Sequence, residues 1–208
     1  MQQILKCTTG IMEREVQFCN EREEITFQLL VKLKEYSPET FEHSYAVSKL
    51  AGRLGAELGY RPEDIIRLNI AGMLHDIGKI AIPEEILHKK GTLTESEWSV
   101  MKQHSDKGYR MLLPYVRDAD ILLAVRQHHE RVDGSGYPDG IRQGITEFAK
   151  IIMIADVFDG MTRKRAYRTE GFSEEKAKQI MCSEDCLYDK RCLQAFLNVA
   201  SKNCEEGE

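Results

Sequence analysis

The chain has 208 residues, of which 42% are hydrophobic and 30% are charged. This length fits one domain, or one domain with a short extension, and the apolar fraction excludes disorder for most of the chain. The formal net charge of −5 argues against a broad nucleic-acid-binding surface, because such a surface needs a basic face. We therefore expect a folded protein with no DNA or RNA partner.

The composition also predicts a soluble, cytoplasmic protein. The longest purely apolar stretches, such as 151–155, have about five residues, far fewer than the roughly 20 that span a bilayer. The N-terminal segment MQQILKCTTG lacks the apolar run of a signal peptide. The 6 cysteines form no CxxC pair and are expected to be reduced thiols. A metal or redox role for Cys182, Cys186 and Cys192 is the minor alternative.

The first half of the chain contains three predicted helices. Residues 21–36 place their apolar side chains on one helical face. Residues 37–58 begin with Ser-Pro-Glu, which supplies a capping hydroxyl, a proline at the first helical position and an early carboxylate. Residues 61–74 begin with Arg-Pro-Glu and lead directly into the pair His75-Asp76.

The second half is also predicted to be helical. Thr94 and Glu97 have the spacing of a capping box, which opens a helix that runs to Leu113. Residues 132–146 are rich in Gly, Asp and Pro and are predicted to form a loop. Because no alternating strand pattern occurs, we predict an all-α bundle of seven or more helices. The remaining predicted helices span 118–130, 147–162, 173–181 and 189–201.

Two adjacent pairs, His75-Asp76 and His128-His129, are the main chemical signal. The chain has only 6 histidines, and both pairs lie at predicted helix ends. Neighbouring helical residues point about 100° apart, so both members of a pair reach one site only near such an end. A lone histidine is more often a core or surface residue, but two pairs favour a metal site. Imidazole and carboxylate ligands without thiolate suit Fe, Mn, Zn or Ni, and the Asp76 carboxylate can bridge two cations.

With these motifs the sequence resembles the HD-GYP domain, the branch of the HD superfamily that contains cyclic di-GMP phosphodiesterases. HDIGK, a spaced histidine, HHE and DGSGYP occur in that order, and the resemblance covers about residues 37–200. The matching segments are HSYAVSKLAG (43–52), AGMLHDIGKIAIPEEIL (71–87), LTESEWSVMKQHSDKGYRML (93–112), HHERVDGSGYPDGI (128–141) and IIMIADVFDGMTRKRAYR (151–168).

The resemblance implies an HD-superfamily helical bundle with a metal cluster in its core. We divide the chain into an N-terminal extension and helix start (1–30), an HD-GYP catalytic domain (31–201) and a C-terminal tail (202–208). Residues 1–20 and 202–208 are expected to be loose ends. No sensory-domain pattern is present, so the chain is predicted to be a stand-alone enzyme or a catalytic fragment of a longer one.

The resemblance also implies two or three divalent metal ions, with Fe or Mn favoured and with Asp76 bridging. Asp156 lies in an apolar run, where an unpaired carboxylate costs several kcal/mol; an ion pair with Arg or Lys is the alternative role. Glu39 lies one helical turn before His43 and resembles a ligand of a third metal. Its alternative is a first-turn acid favoured by the helix dipole. The implied ligands are Glu39, His43, His75, Asp76, His104, His128, His129 and Asp156.

Four further residues are implied to contact the substrate. Lys79 resembles the residue that binds the scissile phosphate and stabilises its developing charge, with a surface lysine as the alternative. Tyr137 is implied to lie near the substrate, where its ring could stack on a guanine base; a structural turn is the alternative. Arg165 and Arg168 match basic positions that contact phosphates, which arginine binds in a bidentate manner; a solvated charged face is the alternative. A candidate contact for GGDEF-domain partners is the loop that contains Gly134, Gly136, Tyr137 and Pro138.

The implied function is a phosphodiesterase in which Asp76 and Lys79 are catalytic. It would hydrolyse cyclic di-GMP to linear pGpG, and with a third metal on to GMP, through a hydroxide that bridges two metals. One alternative is an HD-type phosphohydrolase of another cyclic dinucleotide, such as cyclic GMP-AMP, or of a nucleotide. The other is a non-catalytic module that binds cyclic di-GMP or a GGDEF domain. That module would be expected to lack metal ligands, and the sequence lacks none.

Overall fold

The structure is a computed structural model that describes residues 21–163 and 170–205. Within these ranges it contains α-helices and short 3-10 turns, and no strand. The prediction of an all-α bundle of seven or more helices is confirmed. The helices are α1 (Glu21–Tyr36), α2 (Pro38–Glu57), α3 (Pro62–Leu74), α4 (Glu84–Leu87), α5 (Glu95–Met101), α6 (His104–Leu112), α7 (Ala119–Gln127), α8 (Glu147–Thr162), α9 (Glu174–Ser183) and α10 (Lys190–Glu205), and the 3-10 turns are Ile77–Ala81 and Asp185–Leu187.

Helix α2 begins where its sequence signal predicts and packs closely against α3. The Ser37 hydroxyl accepts a hydrogen bond from the Thr40 amide (3.4 Å), and a proline occupies the first helical position. At the contact with α3, Ser48 Oγ donates to the Asn69 carbonyl (2.7 Å). A Cβ on Gly72 would lie 2.8 Å from Ser48 Cα, so only glycine allows this approach. The contact brings together two helices that end in, or carry, candidate metal ligands.

Helix α8 lies in the centre of the core. Residues 151–155 are 0% exposed, and Phe158 on the same helix packs its ring 4.8 Å from that of Phe196 in α10. A helix that is apolar all round must be surrounded on all sides, which explains why this segment shows no amphipathic pattern. The burial of α8 carries Asp156 into the interior of the protein.

Two predicted helices are shorter in the structure than the sequence suggested. The Thr94 capping box is present, but the helix predicted to continue to Leu113 is divided at 102–103 into α5 and α6. The helix predicted over 118–130 ends at Gln127. A histidine follows each interruption. Its imidazole lies within hydrogen-bond distance of a backbone carbonyl in the preceding turn. The side chain thereby replaces a helical hydrogen bond at the place where the helix stops.

The Asp118 side chain stabilises the start of α7. Its carboxylate accepts hydrogen bonds from the Ile121 amide (3.3 Å) and from the Arg67 guanidinium (2.6 and 2.8 Å). These bonds, chiefly that from Arg67, lower the pKa of Asp118 despite partial burial. Asp118→Ala should therefore lower the free energy of unfolding by about 2 kcal/mol at pH 7, and Asp118→Asn, which keeps a capping oxygen, by about 1.

The pH dependence of this effect has a defined sign. Because the pKa of Asp118 is lower in the folded chain than its unfolded value of about 3.9, the carboxylate stabilises the fold above that value. Its contribution is lost as the pH falls through the folded pKa. Urea unfolding of wild type and both variants between pH 7 and about pH 3 should show the differences shrinking toward acid. A difference that grows toward acid would contradict the assignment.

Two further predictions concern membrane-spanning helices and the ends of the chain. No helix in the described part of the chain is long and apolar enough to cross a membrane. The predicted loose end 1–20 lies outside the described residues, whereas α10 continues to Glu205, past its predicted end at 201. The division into 1–30, 31–201 and 202–208 stays a prediction.

Candidate metal centre

Five separate segments bring histidine and aspartate side chains together in the core. They are α2, the turn after α3, the start of α6, the turn after α7 and the centre of α8. Their ligand atoms fall into three overlapping groups. Within each group the atoms lie within 4.8 Å of one another, close enough to hold a metal ion. Six of the seven residues are buried, and His129 is partly buried. The residues in these groups are His43, His75, Asp76, His104, His128, Asp156 and His129.

Three of the imidazoles are oriented in the same way. Each places Nδ1 within hydrogen-bond distance of the backbone carbonyl three residues before it, and this carbonyl requires Nδ1 to carry the proton. Nε2 is then the unprotonated atom that can bind a metal, and the backbone holds the ring in place. The contacts are His75 to Gly72 (2.7 Å), His104 to Met101 (2.8 Å) and His128 to Val125 (2.8 Å).

The Asp76 carboxylate lies between two sets of imidazoles. Its Oδ1 is 3.2 Å from His104 Nε2 and 3.9 Å from His128 Nε2. Its Oδ2 is 3.4 Å from His75 Nε2 and 3.7 Å from His43 Nε2. Each oxygen therefore faces a different pair of nitrogen ligands, which is the arrangement needed for one carboxylate to bridge two cations.

Two atoms of this cluster have no hydrogen-bond partner among the described residues. They are His75 Nε2 and Asp76 Oδ1, and both are buried. Buried polar atoms without partners are rare because each costs the free energy of its lost hydration. Divalent metal ions would satisfy both atoms, and the mixed nitrogen and oxygen donors suit Fe, Mn, Zn or Ni. The residues present therefore fit a metal cluster.

Burial and the other members of the cluster shift the pKa values of Asp156, His128 and His129. Asp156 Oδ1 is 2.9 Å from His43 Nε2, and its Oδ2 is 3.7 Å from His129 Nδ1. Burial raises the pKa of Asp156, but the imidazoles, His43 first, outweigh it, so the net shift is downward. Burial lowers the pKa values of His128 and His129, and neighbouring histidines lower them further. The carboxylate is thus ionised and these two imidazoles are neutral, the forms that bind metals.

A cavity of about 830 Å³ opens over the cluster. Lys79 lies on its wall, with Nζ 2.5 Å from Asp76 Oδ2. Glu39 is exposed on the same wall, one turn before His43, and it is not among the groups whose ligand atoms converge. Tyr137 also lines the cavity, and its ring lies 4.5 Å from that of the candidate ligand His129. The structure thus places all three predicted residues beside the cluster.

A scan of family models matches residues 9–192 to the HD domain. The chain belongs to the HD domain family. A cyclic di-GMP phosphodiesterase of Thermotoga maritima is 38% identical over 206 residues, which cover 94% of this chain and 55% of that protein. The 3′3′-cGAMP-specific phosphodiesterase 1 of Vibrio cholerae is 43% identical over 131 residues, 62% of this chain and 30% of that protein. The chain thus spans about half or less of the length of these relatives.

A solved structure confirms the fold independently. The PgpH HD domain of L. monocytogenes, in complex with cyclic-di-AMP, matches 87% of this chain and 98% of that chain with a TM-score of 0.66. The identity is 18%, so this likeness supports the architecture alone. Together with the family match, it confirms the HD-superfamily bundle that the motifs predicted.

Sequence reasoning missed one residue that contacts the candidate ligand His43 in this HD domain. Asp159 Oδ2 lies 2.6 Å from His43 Nδ1, and Arg163 Nε donates to the same oxygen (2.8 Å). Burial lowers the pKa of His43, but its bonds to Asp156 and Asp159 outweigh burial, so the net shift is upward. A carboxylate behind a metal-binding histidine fixes its ring and strengthens it as a ligand. The available signal was the spacing of three residues from Asp156.

This arrangement predicts the effect of Asp159→Asn. The variant keeps the shape of the side chain but loses the charge, so metal affinity should fall by about 10- to 100-fold. Titration with a metal-binding dye that competes for the ion measures this directly. Asp185→Asn, at an exposed carboxylate that belongs to none of the groups of candidate ligands, is the control and should leave affinity unchanged. Equal affinities for Asp159→Asn and wild type would show that Asp159 does not support His43.

The second missed residue is Glu130, which holds the loop over the cavity. Its carboxylate is 0% exposed and accepts hydrogen bonds from the amides of Asp139 (2.8 Å) and Ile141 (3.1 Å). The Tyr137 amide also donates to the His129 carbonyl (3.1 Å). The loop is therefore tied to the same turn that carries the two candidate ligands His128 and His129. The position of the acid directly after His128-His129 was the only sequence signal for this role.

The predicted loop 132–146 is confirmed, and its glycines have two different roles. Gly134 has a φ of +81°, a conformation that other residues rarely adopt. A Cβ on Gly136 would lie 2.4 Å from the His129 carbonyl oxygen, so only glycine allows the loop to approach the HH turn. The peptide bond between Tyr137 and Pro138 is cis.

The remaining predictions concern two substrate-binding arginines and a metal or redox role for three cysteines. Arg165 and Arg168 lie outside the described residues. In the described ranges no cysteine belongs to a group that could hold a metal. Cys182 and Cys186 are exposed and free, and burial raises the pKa of the free Cys192 to about 12, which keeps it a thiol. Cys182, Cys186 and Cys192 therefore do not form the metal group that was the minor alternative.

Proposed function

We propose that this HD domain is a metal-dependent phosphodiesterase that hydrolyses cyclic di-GMP to linear pGpG. The observation that carries the proposal is the Asp76 carboxylate, whose two oxygens face two different pairs of imidazoles beneath an 830 Å³ cavity. A ligand the size of a dinucleotide needs such a cavity. The relatives named as cyclic di-GMP and 3′3′-cGAMP phosphodiesterases support the substrate class.

The residues of the chain divide the chemical work. Metal ions bound at the cluster would supply Lewis-acid charge and activate water for attack on phosphorus. Asp76 joins the two halves of the site, and the neutral imidazoles keep their lone pairs directed inward. Lys79 carries a fixed positive charge on the cavity wall, where it is suited to offset charge that develops on the non-bridging phosphate oxygens.

We propose two ions as the basic complement, with Fe or Mn as the metal. One ion would be held by His43, His75 and Asp76, and the other by Asp76, His104, His128 and His129, which follows two of the groups of ligand atoms. Asp156, whose Oδ1 lies 2.9 Å from His43 Nε2, would complete the first set. Glu39, on the cavity wall beside the first group, would hold a third ion. With three ions the reaction would continue from pGpG to GMP.

Cyclic GMP-AMP is the second candidate substrate. The 43% identity with a 3′3′-cGAMP-specific enzyme is the observation that favours it, since both substrates carry the same two phosphodiester bonds. A binding module without activity is disfavoured, because the full set of predicted core ligands is present in the described chain. We further propose that Arg165 and Arg168 bind the distal phosphate, that the loop with Gly134, Gly136, Tyr137 and Pro138 contacts GGDEF domains, and that the domain works in the cytoplasm.

Anaerobic loading with ferrous iron or manganese tests the proposal. Each sample is incubated with cyclic di-GMP, the products are separated by chromatography, and bound metal per chain is measured. We expect pGpG or GMP with two or three ions bound, and the metal content of Glu39→Gln shows whether that residue holds the third. Competition with cyclic GMP-AMP ranks the two substrates. A fully metallated protein that leaves both dinucleotides intact would overturn the proposed activity.

A further inference from the structure

Trp98 is a large aromatic side chain that the fold leaves uncovered. The side chain is 46% exposed, and it lines the cavity over the histidine and aspartate cluster. An indole exposed to water forgoes the free energy of burial. Its position on the wall of a functional cavity, rather than on an outer surface, suggests that a ligand covers it.

The ring of Trp98 stands next in a row of aromatic rings that starts at the metal centre. The Tyr137 ring lies 4.5 Å from that of His129 at an interplanar angle of 30°, so one of its faces is occupied. The Trp98 ring lies 6.2 Å from Tyr137 at 81°, an edge-to-face contact. Trp98 is thus one ring contact farther from the ligands than Tyr137. In a nucleotide the base is likewise separated from its phosphate by the sugar.

Local structure holds Trp98 in position. Helix α5 starts with the capping box of Thr94 and Glu97, and Lys89 Nζ donates to both Glu97 oxygens (2.8 and 2.6 Å). The bonds from Lys89, followed by that from the Thr94 amide, lower the pKa of Glu97 to about 2. The residue beside Trp98 therefore stays ionised and ties the cavity wall at Lys89 to the start of α5. A fixed aromatic ring loses little entropy on stacking.

We propose that Trp98 is the stacking platform for one purine base of the cyclic dinucleotide. The inference rests on the proposed function for its substrate. Aromatic side chains stack on bases with a free energy large enough to change affinity severalfold to about a hundredfold. A two-ring base covers more of an indole than a one-ring base does. Trp98 would therefore contribute to KM and to base preference rather than to the chemical step.

Trp98 is the single tryptophan of the chain, so its fluorescence reports on the site alone. The metal-loaded protein is titrated with GMP, which has no diester to cleave, and with ribose 5-phosphate, which has no base. We expect saturable quenching by GMP and none by ribose 5-phosphate. No response to GMP, or equal responses to both, would overturn the proposal. This measurement is independent of turnover.

Kinetics with cyclic di-GMP provide the second test. Trp98→Leu should raise KM about tenfold, with most of the loss of kcat/KM carried by KM, whereas Trp98→Phe should stay within about threefold of wild type. Leu113→Ala, at a side chain that is 50% exposed and outside the cavity, is the control for loss of exposed apolar surface. A wild-type KM in Trp98→Leu would overturn the platform. If the wild type leaves cyclic di-GMP intact, the proposed function fails, and the fluorescence result alone decides the inference.

Discussion

Asp76→Ala should abolish metal loading and turnover together. The variant removes the only carboxylate in the described chain whose two oxygens face separate pairs of imidazoles. Without Asp76, no carboxylate joins the two pairs of imidazoles. We expect a loss of about 4 kcal/mol or more of transition-state stabilisation, which lowers the rate by at least about 10³-fold. Metal per chain and kcat are measured on the same preparation. Activity that survives with metal absent would refute the proposed centre.

A matched control separates loss of the bridge from loss of a charge. Asp120→Ala removes a carboxylate that is 51% exposed and pairs with Arg67 on the surface. It should leave metal content and turnover unchanged, since such surface pairs contribute little. Circular dichroism of both variants verifies that the bundle is folded. A similar loss of metal in Asp120→Ala would show that the effect of Asp76→Ala is not specific to the site.

Lys79→Gln should lower kcat by about 100-fold while the metal content stays the same. Lys79 Nζ lies 2.5 Å from Asp76 Oδ2. Burial raises the pKa of Asp76, but the charge of Lys79, followed by that of His75, outweighs burial, so the net shift is downward. The imidazoles remain around Asp76 in the variant, so the ligand set persists. The lost function is the cation that faces the substrate phosphate.

Two further variants distinguish this role from a structural one. Lys79→Arg keeps the charge and should recover part of kcat. Lys107→Gln removes a lysine that donates to the Ala81 carbonyl (3.1 Å) outside the cavity lining, and its kinetics should match wild type. If Lys79→Gln loses metal in proportion to activity, Lys79 acts by holding Asp76 and does not stabilise the transition state.

Signals that depend on a few neighbouring residues were predicted correctly. The Ser37 cap, the Thr94 capping box and the start of α8 occur where the sequence indicated, because each is formed by hydrogen bonds between residues a single turn apart. Helix ends were less predictable. α5 and α7 stop early, and the histidine after each of them, His104 or His128, donates to a backbone carbonyl of the preceding turn. This bond directs Nε2 toward the cluster, so the helix end is coupled to residues that are distant in the sequence.

The sequence by itself determined the all-α class and predicted which residues would meet in the core, since His75-Asp76 and His128-His129 combine imidazole and carboxylate side chains at helix ends. Only the tertiary structure decided which oxygen of Asp76 faces which imidazole, and that Asp159 supports His43 from 116 residues away. It also decided that Trp98 is exposed on the wall of the cavity. Contacts between distant segments depend on how whole helices pack, and no local pattern of residues specifies that packing.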